Sequence, residues 1–433
     1  MDDDLLQRHL HPLLTEALDS ARVVNLVGPR QAGKTTLVRD LFGIGRFITL
    51  DDDTVRNAIA ADPFGQLCSM AEAAGRAPVV IDEAQRVPEL ALAIKRIVDV
   101  ERRKGQFLLT GSSNVFTTLA VADSLAGRLQ TCRLWPLTAS ETLGRTPSTL
   151  LDWAVADSPR LTSLPVPEPL ARRDYVERVV GGGFPEMRTL AARPRRARLR
   201  DYVETLVDRD VAGLLRLRRT DAFRRLVDQV AVRTASTLNV SDLAGLIGVQ
   251  RPTLEQHLDV LTRLAMVVRV GSWASGEARR EAGRPKLHIV DTGLACALRD
   301  LAAESFDADV DPAAFGGLLE SFVFNELLRA APLQDGSFTL WHWTGARGRE
   351  IDIVAESRRR LVAIEVKASN SVSHEDLRHL RWFSSEGPAR GRQVTSIVLY
   401  LGDQPLQLDK RCFALPVSVL WASGPDGEVT AGS

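Results

Sequence analysis

Val23-Val-Asn-Leu-Val27 runs straight into Gly28-Pro29-Arg30-Gln31-Ala32-Gly33-Lys34-Thr35-Thr36, and this passage decides how the chain is read. The apolar run predicts a buried strand, the next eight residues have the spacing G-x-x-x-x-G-K-T, and a helix is expected to open at Lys34. Gly28 and Gly33 permit a backbone whose successive N–H groups turn inward toward phosphate oxygens, and the helix start adds the positive end of its dipole. Lys34 is placed to reach the outer phosphates and the Thr35 hydroxyl to ligate Mg²⁺. Residues 28–36 are therefore the expected cradle of a nucleoside triphosphate.

Working outward, Pro78-Val-Val-Ile-Asp82-Glu83-Ala-Gln85 is a second short apolar run, and it ends in two carboxylates. At a strand tip beside a phosphate loop, Asp82 suits the metal shell and Glu83 suits polarisation of an attacking water. A solvated turn would carry the same pair without chemistry. Gln106-Phe-Leu-Leu-Thr110-Gly-Ser112-Ser113-Asn114 is a third such strand with a polar tip. Ser112, Ser113 and Asn114 are each suited to sense a γ-phosphate, and the sequence does not choose among them. Arg128, in Ser124-Leu-Ala-Gly-Arg128, reads either as a finger offered to a neighbouring subunit's phosphate or as an ordinary surface arginine.

Taken together, Gly28 to Thr36, Ile81-Asp82-Glu83-Ala84-Gln85, Leu109 to Ser113 and Leu125 to Arg128 resemble the AAA+ ATPases. More closely, they resemble prokaryotic ATP-binding proteins whose C-terminal half is a domain of unknown function with a restriction-endonuclease-like portion. The resemblance runs over nearly the whole chain and is most specific at the phosphate loop and the Asp-Glu strand. It implies ATP and Mg²⁺ as cofactors and ATP hydrolysis as the activity. The residues it points to are Lys34, Glu83 and Arg128 for catalysis, residues 28–36 with Asp82, Ser113 and Asn114 for the nucleotide, and Thr35 with Asp82 for the metal.

Composition limits the rest. The chain has 433 residues, 45% hydrophobic and 25% charged, which is ordinary globular material for two to four domains. Its 55 basic and 55 acidic residues cancel, so contact with nucleic acid must come from local patches. No apolar run is long enough for a membrane span, the acidic Met-Asp-Asp-Asp start is unlike a secretory signal, and four scattered cysteines show no metal or disulfide spacing. A reducing cytoplasm is the expected compartment.

Only six basic residues are lysine, at positions 34, 95, 104, 286, 367 and 410. A chain so biased to arginine is expected to keep lysine where a compact ammonium does what a planar guanidinium cannot, which singles out Lys367 beside Lys34. In Leu361-Val-Ala-Ile-Glu365-Val-Lys367, Glu365 and Lys367 share one face of a predicted strand, and Glu350-Ile-Asp352-Ile-Val354 alternates in the same way. Antiparallel pairing through the Arg358-Arg-Arg360 turn brings Asp352 toward Glu365. A helix is expected over Gly316 to Leu328, with Glu320 able to face the same sheet, and a helix and a strand are expected near Glu375–Phe383 and Ser396–Leu401.

That order, with D…E-x-K on the second and third strands, resembles the PD-(D/E)XK nucleases. The resemblance implies a metal held by Asp352, Glu365 and the Val366 carbonyl, completed by Glu320, with Lys367 orienting water or offsetting phosphate charge. A plain salt-bridge cluster is the alternative. The proline-containing lead-in of the motif is absent, since Arg349-Glu350-Ile351 precedes Asp352.

Between these sites, Asn239 to Leu258 reads as a helix capped by Ser241, a turn at Gly248, and a second helix with Pro252 in its first turn and Leu254, Leu258 and Leu261 as its packing face. Val267–Val270 and Lys286–Val290 suggest a two-stranded wing whose loop carries Arg279, Arg280 and Arg284, an arrangement similar to a winged helix-turn-helix. DNA contact and structural docking are both open for it. Leu143–Leu170 reads as a loop-bearing linker, and the basic run Arg193–Arg200 opens a helix that either touches phosphate or is simply solvated.

The expected fold is thus α/β throughout: an AAA+-like parallel-sheet ATPase core at 1–142, a linker and helical lid-like region at 143–215, a winged helix-turn-helix at 216–300 and a nuclease-like domain at 301–433. The expected function couples ATP turnover to the C-terminal half, with DNA as candidate partner, a homo-oligomer as candidate assembly and no membrane. A nucleotide-controlled binding switch with a catalytically inactive nuclease-like domain is the second reading. A small-molecule phosphotransferase is the third.

Overall fold

Strand β1 (Val23–Val27) is buried along its whole length, the state of a parallel strand covered on both faces. This is a computed structural model; it describes residues 6–41, 46–111, 125–211, 220–276, 283–307, 313–358 and 360–422. The chain divides into two compact units, one formed by Gln7–Pro136 with Arg263–Ala265 and the other by Leu137–Thr262 with the residues from Met266 onward.

In the first unit β1 is flanked by two parallel partners, β4 (Phe107–Gly111) and β5 (Leu129–Arg133). Beyond β4 lie β3 (Val79–Asp82) and then β2 (Arg46–Thr49), so the order is β2-β3-β4-β1-β5 with every pairing parallel. Alternation along the strands divides their side chains between two layers. Val24, Leu26, Val80 and Leu108 pack with Leu14 and Leu37 from helices α1 (His11–Ser20) and α2 (Lys34–Leu41). Val79, Ile81, Phe107 and Leu109 pack with Ile59, Leu67 and Ile94 from α3 (Asp53–Ala61), α4 (Pro63–Ala74) and α5 (Leu90–Glu101). A parallel sheet with helices on both faces is the α/β architecture of P-loop ATPases, and it gathers the ends of β1, β3 and β4 at one edge. The sequence reading set Asp82 at a strand tip beside the phosphate loop, and its side chain does reach Thr35 of that loop although β4 stands between β3 and β1 in the sheet.

The second unit is built on a mixed sheet of order β13-β14-β12-β11-β10-β9. Its strands are β9 (Thr339–Thr344), β10 (Glu350–Ser357), β11 (Arg360–Lys367), β12 (Gln393–Tyr400), β13 (Leu406–Asp409) and β14 (Cys412–Pro416). The pairs β9/β10, β10/β11 and β13/β14 are antiparallel, while β11/β12 and β12/β14 are parallel. The long helix Ala313–Ala330 precedes β9, and helix Arg378–Ser385 links β11 to β12. Upstream, helices Val240–Ile247 and Arg251–Arg263 meet at Gly248, whose φ of 74° is the left-handed conformation that a helix C-terminus takes up readily at glycine. They accompany a three-stranded sheet of order β6-β8-β7, formed by β6 (Ser236–Thr237), β7 (Val267–Val270) and β8 (Lys286–Ile289).

Three local expectations change. The first helix of that pair is capped by Asn239, whose side chain accepts from the Asp242 N–H, and not by Ser241, because the helix already begins at Val240. Within the supposed linker, Leu150–Val155 is helical, with Leu150, Leu151, Trp153 and Ala154 buried: four buried apolar residues in six outweigh the flanking Pro, Ser and Thr. In the basic run, Arg196 and Arg200 both pair with Asp300, so part of its charge is spent inside the unit. Arg279 and Arg280 lie outside the described residues, whereas Arg284 is described and exposed.

Candidate functional site

The loop after β1 is held in shape by close backbone approach. A Cβ on Gly28 would lie 2.0 Å from the Leu134 carbonyl oxygen, so only glycine fits there. Gly33 (φ 91°) and Gln31 (φ 60°) both take left-handed backbone, reversing the chain before α2 begins at Lys34. Arg8, nearly buried, donates to the Ala32 carbonyl at 2.7 Å and to the Trp135 carbonyl at 2.6 Å, fastening the loop from outside its own motif. Sequence reasoning missed Arg8, and nothing local to it carries a signal.

Lys34 is 7% exposed, and its ammonium donates to the carbonyls of Gly28 and Pro29, each at 2.9 Å. Burial pulls its pKa down to about 8, with the charges of Glu83 and Asp82 only partly opposing that shift. Carbonyl dipoles compensate the ammonium less well than an anion does, so the pocket is electrostatically short of negative charge. Thr35 Oγ1 lies 3.3 Å from Asp82 Oδ2, and the other Asp82 oxygen accepts from Thr110 Oγ1 on the intervening strand β4. Thr110 thereby bridges the gap that β4 opens between β1 and β3. Thr36 is exposed at the third position of α2, Pro29 and Ala32 are buried, and Arg30 is half-buried with its charge acting on Glu83.

Glu83 sits in left-handed backbone (φ 54°, ψ 41°) at the start of a short 3₁₀ turn, Ala84–Arg86, and its carboxylate accepts from Gln85 Nε2. Burial raises its pKa, and the neighbouring Arg30 charge works against that rise. Arg128 is bound within its own chain: Nε and Nη2 donate to the two oxygens of Asp99 on α5, and Arg22 approaches the same carboxylate at 3.5 Å. Ser112, Ser113 and Asn114 lie outside the described residues.

In the second unit Ile353 stands opposite Ile364, and that register carries Asp352 to the level of Glu365 on the neighbouring strand. Asp352 Oδ2 accepts from the Val366 N–H at 2.8 Å, and Lys367 Nζ donates to Glu365 Oε2 at 3.2 Å. Glu365 Oε1 is buried and has no hydrogen-bond partner among the described residues. From the long helix, Glu320 reaches the same place. Its carboxylate, with those of Glu350 and Asp352, offers oxygens all within 4.8 Å of one another.

Lys286 on β8 enters this cluster. Its Nζ lies 2.7 Å from Glu320 Oε1, 2.9 Å from Glu350 Oε1 and 3.7 Å from Asp352 Oδ1. Burial alone would lower the Lys286 pKa, but the combined charges of Glu320, Asp352 and Glu350 outweigh it and push the group upward. Burial pushes Glu320 and Glu365 well above the usual carboxylate range, with the Asp352 charge adding to each. Lys286 and Glu350 had no site role in the sequence reading; the signal available was the scarcity of lysine itself.

Comparison with known families places residues 20–143 on an AAA domain, residues 172–305 on a domain of unknown function (DUF8612), and residues 315–420 on another (DUF4143). The uncharacterized protein Rv2008c of Mycobacterium tuberculosis is 27% identical over 421 residues, covering 96% of this chain and 85% of that protein, and Mb2031c of Mycobacterium bovis stands at the same values. Among solved structures, the Walker-type ATPase PABY2304 of Pyrococcus abyssi aligns at a TM-score of 0.45 and 17% identity, over 68% of this chain and 96% of that one. Protein VC1899 from Vibrio cholerae aligns at a TM-score of 0.21 and 12% identity, over 92% and 95%. The AAA-domain match falls on the parallel-sheet unit and supports nucleotide binding by a P-loop ATPase domain. Among the described residues no helix is long and apolar enough to cross a membrane.

Proposed function

We propose that the chain is a Mg²⁺-dependent ATPase whose turnover controls the state of its second unit, with DNA as the partner. The observation that carries the ATPase reading is the buried Lys34 ammonium at the start of α2, whose hydrogen-bond partners among the described residues are loop carbonyls, next to the Thr35–Asp82 pair. Hydroxyl and carboxylate oxygens in that pair suit a hard divalent ion, which when bound offsets charge on the phosphates. Thr35 and Asp82 would hold it, Lys34 would meet the outer phosphates, the N–H groups of residues 28–36 would cradle the rest, and Glu83, once released by Gln85, would orient water. Ser113 and Asn114 retain the γ-phosphate role, and Arg128 the finger role, as part of this reading. ATP turnover by the purified chain, lost in Lys34→Ala and slowed in Glu83→Gln without loss of binding, tests it. Unchanged ATP binding by Lys34→Ala would remove it.

The DNA assignment draws on the helix pair with β7 and β8, which we read as a winged helix-turn-helix within a four-module chain divided at 142, 215 and 300. Its second helix is a poor base reader, since Glu255 and Asp259 are taken up by Arg251 and Arg269. A specific observation favours a second reading, in which the PD-(D/E)XK-like module binds and does not cut: Lys286 stands among the acids that cleavage would require for metal. Metal-dependent cleavage lost in Asp352→Ala and Lys367→Ala would exclude that reading.

A further inference from the structure

Three carboxylates from two elements, Glu320 on the long helix and Glu350 and Asp352 on β10, converge with oxygens within 4.8 Å of one another. Like charges so close in a partly buried site are relieved by a cation among them or by protonation of one acid. A lysine ammonium has three N–H donors, and here two are accounted for at 2.7 and 2.9 Å while the third oxygen lies 3.7 Å away. Lys286 is 1% exposed, so its charge is largely withdrawn from water, and among the described residues its ion pairs are with these acids.

The approach is fixed from the backbone. β8 is the middle strand of its sheet, and Lys286 is in register with Thr237 of β6 on one side and Val270 of β7 on the other. Two residues on, His288 faces the same helix and its Nδ1 meets Ser321 Oγ at 3.0 Å. The lysine is therefore delivered by a strand anchored on both edges, not by a loop that swings. A Mg²⁺ or Mn²⁺ ion binds carboxylate oxygens at about 2.1 Å and keeps ordered waters besides. An ammonium already within hydrogen-bond distance of two of the three acids fills the space that such an ion and its waters would need. Of the ligands that the nuclease resemblance implies, Glu320 is paired with Lys286, Asp352 stands 3.7 Å from the same ammonium and Glu365 is paired with Lys367, so this arrangement does not fit the divalent ion.

We propose that the ammonium of Lys286 takes the place of that ion, so that the cluster is a metal-free latch joining β8 to the long helix and to β10. The chain supplies its own cation, and the ligand class that this half of the site accepts is a primary ammonium. The latch stands whether or not the first unit hydrolyses ATP; it shares its Lys286 contacts with the non-cutting reading, so metal-dependent cleavage lost in Asp352→Ala would overturn both.

Mn²⁺ titration of the nucleotide-free full-length protein, followed by electron paramagnetic resonance, tests it. Wild type and Asp352→Asn are expected to bind the same amount of Mn²⁺, while Lys286→Met gains an ion that Lys286→Met/Asp352→Asn loses. A wild-type Mn²⁺ site that disappears in Asp352→Asn would overturn the proposal, as would a folded Lys286→Met that gains nothing. Should Lys286→Met not fold, acetylation of wild-type lysines read by mass spectrometry decides. Lys286 is expected to stay unmodified with and without millimolar Mn²⁺, and Mn²⁺-dependent labelling at Lys286 would show that the metal displaces it.

Discussion

Replacing Lys34 with methionine should stabilise the nucleotide-free first unit while abolishing its response to MgATP. In the folded chain the Lys34 pKa falls from the ordinary 10.5 to about 8. At about 1.4 kcal/mol per pH unit this gap means that the charged form costs the empty site about 3 kcal/mol. The cost is complete below pH 8, where folded and unfolded chains are both protonated, and it fades as pH rises from 8 toward 10.5. Methionine keeps most of the side-chain volume and removes the charge, but it leaves the Gly28 and Pro29 carbonyls without a donor, a loss of about 1 kcal/mol each at most. The expected net gain at pH 7 is about 1–2 kcal/mol. A chain of two units need not unfold in one step, so the readout is amide hydrogen exchange in β1 and β4, which should slow by roughly 5- to 30-fold. In wild type, MgATP at about a hundredfold over its Kd should add about 2.7 kcal/mol of protection. In Lys34→Met it should add none. Faster exchange in the nucleotide-free variant, or undiminished protection by MgATP, would refute the claim that the pocket holds an under-compensated ammonium awaiting phosphate.

Other outcomes follow from the same geometry. Glu83→Gln should bind ATP as wild type does and turn it over about a hundredfold more slowly, measured by phosphate release; near-normal turnover would move the water-orienting role elsewhere. Gly28→Ala places a methyl carbon 2.0 Å from the Leu134 carbonyl oxygen, so nucleotide affinity by calorimetry should fall at least tenfold. Because Arg128 is bound to Asp99, Arg128→Ala and Asp99→Ala should change turnover alike if the arginine acts only on α5. A turnover loss confined to Arg128→Ala, and dependent on protein concentration, would support the finger role.

The strand, loop and first helix turn of the first unit were legible because their signals are local: an apolar run, two glycines and a lysine in fixed spacing. The D…E-x-K strands were legible for a similar reason, since period-two alternation fixes which side chains share a face and the tight connection between the paired Ser357 and Arg360 fixes the register. What escaped was set by distance along the chain. Lys286 meets acids 34 and 64 residues away, Arg8 meets a carbonyl 127 residues away, and neither has a neighbour that announces the meeting. Strand order was hidden too, because buried parallel strands look alike in sequence and nothing in Phe107–Gly111 says that it inserts between β1 and β3. Helix Leu150–Val155 was masked by its surroundings, whose prolines and serines describe the approaches and not the segment itself.

That small helix has a consequence for anyone cutting the chain into pieces. Asp152 accepts from the N–H groups of Asp335 and Gly336, the Ala154 carbonyl accepts from Thr395 and Arg411, and the Val155 carbonyl accepts from Arg360. A fragment started after the proline-rich stretch would strip these bonds from four separate places along the C-terminal sheet, and one started at residue 301 would also leave Lys286 behind. The piece worth expressing alone begins ahead of Ser148, and shorter versions that aggregate would say more about a torn seam than about the chemistry of the acids.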